Sequence, residues 1–274
     1  MSRPGSPAGE FVSRILELAI ADSAEAWLAV FSDAAHLEVA GMPAAPWTSS
    51  SAVLATCYDG NGILTDGRLT GRWTSVVGAQ HADWLVLPAR DRRPCRVLVS
   101  RQDVCVADTL TALEGAGTGD VTVTDRAIDD SHVLRGDVGP TALRAATGAS
   151  AAVVGSAVGL WRRHVEQLRM QLAASHRSDE MTDAAAAQVA RAASDIDAAR
   201  LQITDAAAAR GDHDDMDRVR RQVVARARSA ADRLLEHSRL ALDASNSVTH
   251  RWRDVDAGSR LAVRLLDALG PPLR

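Results

Sequence analysis

The sequence predicts an α+β fold in which N-terminal helices, a small antiparallel β barrel or sandwich, and a C-terminal four-helix bundle follow one another along the chain. The spacing of apolar residues, which changes twice along the chain, supports this prediction. Apolar residues recur at helical spacing in residues 10–51, alternate in short runs in residues 52–136, and return to helical spacing in residues 137–274. A period of about 3.6 residues is typical of an amphipathic helix, and a period of two is typical of a half-buried strand.

The N-terminal region is predicted to be a tail followed by helices. Residues 1–9 are rich in Pro, Gly and Ser and are expected to be disordered. In residues 10–51, Asp22 and Ser23 are expected to end one helix and cap the next, because a short polar side chain can accept a hydrogen bond from a free backbone N–H. This helical segment ends in the loop 42–51, which contains two prolines.

Residues 52–136 are predicted to form the β domain. Turn sequences such as DGNG (59–62), TDGR (65–68) and RDRRP (90–94) separate six short runs of β-forming residues. Short strands at this spacing, with no helical segment between them, favour a small antiparallel barrel or sandwich.

Residues 137–274 are predicted to form a bundle of four helices. The helices are expected at 141–176, 183–210, 214–245 and 248–269. Apolar residues of the third helix form one stripe, which Arg220 interrupts near its start. Long helices joined by short turns are typical of an up-down bundle.

The composition argues against several classes of function. The net charge is −4 and all 31 basic residues are arginines, so a basic surface for nucleic acid is not expected. Cys57, Cys95 and Cys105 are an odd set without a CxxC pair, which favours free thiols in a reducing cytoplasm. The chain shows no secretory signal and no His or Cys spacing of a zinc site. Its longest apolar run, 149–161, is shorter than the roughly 20 residues that span a membrane.

Several short motifs occur in an order that is known from one superfamily. From the N-terminus they are LAIADSAEAW (18–27), GRW (71–73) with Gly78, HADWLVL (81–87), DT (108–109), GTG (117–119), DVTVTD (120–125) and RWRDVDAG (251–258). In this order, across most of the chain, they resemble the acyl-CoA dehydrogenase superfamily. The resemblance is greatest to its branch of flavin-dependent monooxygenases, which use reduced flavin from a partner reductase.

The resemblance implies a flavin site on the β domain. In that family, the strand that begins with the Trp of GRW and the turn after it form one face of the flavin pocket. The residues expected to bind FMN or FAD are therefore Trp73, Thr74, Ser75 and Gly78. The bundle of a neighbouring subunit completes the pocket in such relatives, which implies a homodimer or a homotetramer.

Two further tryptophans are expected to line the substrate pocket. Trp27 lies in the N-terminal motif and Trp252 lies in the C-terminal motif. Periodicity alone favours a different interpretation for Trp73 and Trp84, which is that both belong to the core of the β domain.

The chain departs from the family pattern in four ways. It starts late, so most of the family's leading helical domain is expected to be absent, and the loop around 42–52 is short. Val77 stands where the family has a serine before the turn glycine. Leu261 stands at the position of the family's acid–base histidine, and Asp256 stands at the position of a nearby histidine. Since leucine cannot transfer a proton, His81 and Asp256 are the remaining candidates for catalysis.

Two hypotheses follow from the sequence. The first is a flavin-dependent oxidoreductase or monooxygenase that acts on a small organic substrate in specialised metabolism and is served by a flavin reductase. The second is a flavin-free or catalytically degenerate member that acts as a partner subunit of a full-length relative, as a ligand-binding scaffold, or as a redox-neutral enzyme such as a cyclase. Binding of flavin discriminates between them.

Overall fold

A computed structural model describes residues 7–40, 42, 52–109, 113, 115–136, 139–174, 183–208, 213–236 and 246–270. The described residues fall into two compact units. The helical unit comprises the described residues of Met1–Ala26 and Thr147–Val263. The β unit comprises the described residues of Trp27–Ala146 and Arg264–Arg274. The predicted α+β class is confirmed.

Six α-helices are present in the described parts of the chain. They are α1 (Pro7–Ala21), α2 (Ser23–Val39), α3 (Gly139–Ala174), α4 (Asp183–Ala208), α5 (His213–Glu236) and α6 (Ser247–Leu269). The four bundle helices were predicted at these places, although the end predicted for the third, 237–245, lies outside the described residues. Of the predicted tail 1–9, residues 1–6 lie outside the described residues, and α1 begins at Pro7. Proline is favoured at the first helical position, because the N–H that it lacks would have no hydrogen-bond partner within the helix there.

The junction between α1 and α2 has the predicted cap. The Asp22 carboxylate accepts a hydrogen bond from the backbone N–H of Glu25 at 3.1 Å, which satisfies one free donor of the first turn of α2. The Ser23 hydroxyl lies 2.8 Å from that of Ser156 on α3. Asp22 therefore caps α2, and Ser23 fixes its start against the helical unit.

Two glycines of α3 allow α1 to approach very closely. A Cβ atom at Gly155 would lie 2.6 Å from the Ala19 Cβ, and one at Gly159 would lie 2.8 Å from the Ile20 carbonyl oxygen. Arg251 of α6 donates to the Ala21 carbonyl at 2.6 Å and so caps the C-terminus of α1. These contacts make α1 an integral part of the helical unit.

Small and branched residues fill the interior of the helical unit. In α5 the fully buried stripe consists of Val223, Val224, Ala227, Ala230, Ala231 and Leu234. Among the described helices, only Gly139–Ala173 is long and apolar enough to cross a membrane. Within its most apolar stretch of 18 residues, 83% is buried inside the protein. Such burial is typical of a core helix.

The β unit contains one sheet of eight strands. They are β1 (Leu54–Thr56), β2 (Gly62–Thr65), β3 (Arg68–Val76), β4 (Trp84–Asp91), β5 (Arg93–Ser100), β6 (Cys105–Asp108), β7 (Gly119–Ala127) and β8 (Val133–Leu134). The order is β6-β7-β3-β2-β4-β5-β8, and β1 also pairs with β4. The pairing is mostly antiparallel as predicted, but β1 and β2 each pair with β4 in parallel.

Side-chain alternation divides the sheet between two apolar clusters. Trp73, Leu85 and Leu87 belong to the larger cluster, which most of the strands share. Val86, between two of these residues, joins the smaller cluster with Ala35 of α2. Because both faces of β4 are covered, its residues 85–87 are all buried.

A buried polar cluster joins α2 to the smaller-cluster side of the sheet. The Arg96 guanidinium donates to the Glu38 carboxylate at 2.7 Å, and the two side chains are 4% and 1% exposed. The Tyr58 hydroxyl donates to the same carboxylate at 2.6 Å, and Thr56 donates to it as well. Burial raises the pKa of the Tyr58 hydroxyl, and the adjacent Glu38 carboxylate raises it further. The cluster is internally satisfied, as a buried ion pair must be to persist.

Candidate functional site

The strand predicted to bind flavin contains a β-bulge. In the ladder between β3 and β7, Trp73 pairs with Val121 and Val76 pairs with Gly119, so Thr74 and Ser75 lie opposite Asp120 alone. Ser75 has a φ of +53°, which is a left-handed conformation that a residue other than glycine rarely adopts. Bulges and strained residues are over-represented beside functional sites. We call the surface formed by Thr74, Ser75 and the side chains that contact them the bulge site.

A carboxylate from the opposite strand holds the bulge. The Ser75 backbone N–H donates to the Asp120 Oδ1 atom at 2.9 Å, in place of a ladder partner. The Asp120 Oδ2 atom accepts from the Arg72 Nη2 atom at 3.2 Å. Asp120 is 22% exposed and Arg72 is 65% exposed, so this ion pair lies at the edge of the solvent.

The hydroxyl next to the bulge faces solvent and a second guanidinium. Thr74 is exposed, and its Oγ1 atom lies 3.5 Å from the Arg264 Nη1 atom at the end of α6. The bulge site therefore combines two hydroxyls, one carboxylate and two guanidiniums. This set can hydrogen-bond the polar edge of a planar ligand and can place positive charge beside it.

The structure places the side chain of Trp73 in the interior of the β unit. Its side chain is 0% exposed, and its indole N–H donates to the Pro88 carbonyl at 2.9 Å. A Cβ atom at Gly60 would lie 2.0 Å from the ring, so the chain fits closely around it. Leu69, Trp73 and Val76 of β3 are buried while Arg72 and Thr74 face solvent, which places the ring in the core. The flavin contact of Trp73 stays a prediction.

Gly78 lies in a turn whose backbone groups are hydrogen-bonded within the β unit. Gly78 is buried, with a φ of +78° that suits glycine. Its N–H donates to the Ala116 carbonyl at 3.0 Å, and its own carbonyl accepts from His81 and Ala82. Its backbone groups are thus used inside the protein, and the turn packs against the segment GAGTG (115–119) rather than opening toward a ligand.

The two catalytic candidates, His81 and Asp256, each have contacts within their own unit, and their catalytic role stays a prediction. The exposed His81 ring lies against Gly117, where an added Cβ would be 2.4 Å from the ring. Asp256 lies in the helical unit, where its two oxygens accept from Arg228 at 2.7 Å and from Arg260 at 2.6 Å. This pairing is structural, so it lends no support to catalysis by Asp256. Leu261, at the position of the family's histidine, is buried.

The two tryptophans predicted for the substrate pocket have structural contacts. Trp27 is 0% exposed and stacks on Phe31 with ring centroids 5.9 Å apart, so its ring packs in the core, and its pocket role stays a prediction. Trp252 is partly exposed, and its indole N–H donates to Asp232 of α5 at 2.9 Å. The pocket role of Trp252 stays a prediction.

Of the four predicted flavin contacts, the structure leaves Thr74 and Ser75 accessible. It brings Arg72, Asp120 and Arg264 close to them, which the sequence had not indicated. A bulge is not visible as a periodicity, and Arg264 lies 190 residues from Thr74 in the chain. Asp120 stands at the start of the motif DVTVTD, but only the strand register reveals that it faces the bulge.

No protein-family model matches the chain. Among curated proteins, the chain is 29% identical over 280 residues to the oxygenase subunit HsaA of a flavin-dependent monooxygenase from Rhodococcus jostii (strain RHA1), an alignment that covers 84% of this chain and 71% of the relative. It is 30% identical over 276 residues to HsaA of Mycobacterium tuberculosis (strain ATCC 25618 / H37Rv), with 84% of this chain and 68% of the relative covered. The chain belongs to the flavin-dependent monooxygenase branch of the acyl-CoA dehydrogenase superfamily.

Solved structures show that the chain has the fold of this superfamily. The crystal structure of HsaA from M. tuberculosis matches with a TM-score of 0.75 at 22% identity and covers 97% of this chain and 83% of that one. XiaF from Streptomyces sp., in complex with FADH2 and glycerol, matches with a TM-score of 0.75 at 21% identity over 96% and 81%. A glutaryl-coenzyme A dehydrogenase matches with a TM-score of 0.72 at 13% identity over 95% and 79%.

Proposed function

We propose that this protein is the oxygenase component of a flavin-dependent monooxygenase system and that it binds FMN or FAD at the bulge site. One observation carries the proposal. In a chain of this family, the strand expected to face the flavin presents two accessible hydroxyl residues, Thr74 and Ser75, at a strained bulge. The relatives' own names, and the reduced flavin bound to XiaF, support a flavin as the ligand.

The residues of the bulge site fit the polar edge of a flavin. The isoalloxazine ring carries hydrogen-bonding atoms along one edge, and its reduced form gains negative charge there. Thr74 and Ser75 offer hydroxyl groups, while Arg72 and Arg264 offer guanidinium donors beside them. Since Trp73 is buried, the aromatic platform expected from the sequence is not part of this fit.

The chain's own contribution to the reaction is binding and orientation. Reduced flavin, when bound, supplies the electrons with which molecular oxygen is activated. Thr74 and Ser75 would orient the ring, and the two arginines would stabilise its negative charge. Leu261 cannot transfer a proton, so the proton must come from a group other than the family's histidine or from solvent.

A second candidate function is a flavin-free or catalytically degenerate member of the family. It is favoured by Leu261, and by the burial of Trp73 and Gly78 on the predicted flavin face. Such a protein would act as a partner subunit, a ligand-binding scaffold or a redox-neutral enzyme such as a cyclase.

The partners follow from the same proposal. A small organic substrate, a flavin reductase, and assembly into a homodimer or homotetramer are proposed for this chain by analogy with its family. Light scattering of the purified protein, alone and mixed with a full-length relative, tests the assembly. A monomer under both conditions would contradict it.

Flavin titration tests the function itself. The purified chain is titrated with FMN and FAD, oxidised and then reduced under anaerobic conditions, and binding is followed by flavin fluorescence and visible absorption. We expect saturable binding, and Thr74→Val should raise the Kd about threefold to tenfold because one hydroxyl is lost. Thr65→Val, an exposed threonine of β2, is the matched control. If neither flavin binds in either redox state, the proposal fails and the flavin-free alternative stands.

A further inference from the structure

We infer that Asp120 is a positioning residue of the flavin site, which holds Ser75 in its left-handed conformation and sets the charge beside the cofactor. The inference rests on the proposed function, because it deepens the role of the same bulge site. The register of β3 and β7 provides the first observation. Asp120 is the single residue of β7 that lies opposite the two bulge residues Thr74 and Ser75.

The bulge leaves one backbone donor without a ladder partner, and Asp120 satisfies it. Antiparallel pairing resumes at Val76 and Gly119, so the Ser75 N–H has no carbonyl opposite it. The Asp120 Oδ1 atom accepts from this N–H at 2.9 Å. A hydrogen bond to a charged acceptor is stronger than a neutral one, so the carboxylate is a suitable substitute for the missing ladder bond.

The strain at Ser75 requires such support. A non-glycine residue at a φ of +53° is disfavoured by the contact between its Cβ and the backbone, and it persists only where the surroundings impose the conformation. The backbone of Asp120 is itself fixed, because Asp120 pairs with Ala107 of β6. Its second oxygen accepts from Arg72 at 3.2 Å, which limits rotation of the carboxylate.

Two consequences for the cofactor follow from this arrangement. The direction of the Ser75 hydroxyl depends on the backbone conformation that Asp120 maintains. In addition, Asp120 places a negative charge beside a ligand that gains negative charge on reduction. Loss of the support for Ser75 should therefore weaken flavin binding, whereas loss of the negative charge should raise the reduction potential of the bound flavin.

The test compares variants of the full chain. Asp120→Asn keeps an acceptor for the Ser75 N–H and removes the charge, whereas Asp120→Ala removes both. Asp125→Asn is the matched control, because Asp125 lies on the same strand and pairs with Arg68, away from the bulge. We expect Asp120→Ala to raise the flavin Kd about tenfold. Asp120→Asn should raise the Kd less, yet shift the potential of the bound flavin upward.

A measurement without flavin examines the positioning role directly. Amide hydrogen exchange at Ser75 should be slow in the wild type and in Asp120→Asn, and at least tenfold faster in Asp120→Ala. If the wild-type chain binds flavin, two results would overturn the inference and leave the proposed function intact. One is unchanged exchange at Ser75 in Asp120→Ala. The other is a flavin Kd and a reduction potential in the Asp120 variants that equal those of the wild type. A wild-type chain that binds no flavin would instead overturn the proposed function, and the cofactor role of Asp120 with it.

Discussion

Replacement of Trp73 by phenylalanine separates a core residue from a cofactor contact. The indole is 0% exposed, and its N–H donates to the Pro88 carbonyl at 2.9 Å. Loss of that hydrogen bond should cost about 1 kcal/mol, and the smaller ring should cost about 1–2 kcal/mol more through lost burial and a cavity. We therefore expect Trp73→Phe to lower the free energy of unfolding by about 2–3 kcal/mol.

Urea denaturation followed by circular dichroism measures this loss, and Trp84→Phe is the control. Trp84 lies in the same unit but is partly exposed, so its replacement should cost less than half as much. The flavin Kd of Trp73→Phe should stay within about threefold of the wild type, since no atom of the ring reaches the surface. The reasoning would be refuted by an unchanged urea midpoint together with a large loss of flavin affinity, because that pair of results describes a residue on the cofactor face.

Three further predictions concern the side chains of Cys57, Arg220 and Arg251. Burial raises the pKa of the Cys57 thiol to about 12, so at pH 8 roughly one thiol in ten thousand is ionised, whereas Cys105 is exposed. A disulfide reagent at pH 8 should thus label Cys105 rapidly and Cys57 only after unfolding, and equal rates would contradict this. Arg220 is 5% exposed, its Nη1 atom has no hydrogen-bond partner among the described residues, and burial lowers its pKa. Arg220→Met should therefore raise the free energy of unfolding by about 1–4 kcal/mol, and a lower urea midpoint would show that the guanidinium is compensated. Arg251→Ala removes the cap of α1 and should lower the free energy of unfolding by about 1–2 kcal/mol. Amide exchange should become faster only at the C-terminal end of that helix, and unaltered exchange there would refute the capping role.

Local sequence signals were sufficient for most of the secondary structure. Helical periodicity located the four bundle helices to within a few residues at each end that the structure describes, and Asp22 was recognised as a cap because capping depends on residues three positions apart. The strands β2 and β8 were not predicted. Strand β2 lies between the turn sequences DGNG and TDGR and shares a residue with each, and β8 has two residues, too few for alternation to be seen.

The chain's family could also be recognised from the sequence, because ordered short motifs survive where overall identity is low. The motif GRW correctly marked the strand that carries the bulge. It did not show which side chains of that strand are accessible. Alternation predicts that residues two apart share a face, but the extra residue at the bulge changes this relation after Trp73.

The sequence by itself therefore determined most of the elements, their order and the family, since each depends on residues that are close together in the chain. The tertiary structure decided the site. It placed Trp73, Gly78 and Trp27 in the interior. It brought Asp120 to Ser75 across 45 residues of the chain and Arg264 to Thr74 across 190 residues. Contacts of that separation depend on strand register and helix packing, which no local pattern encodes.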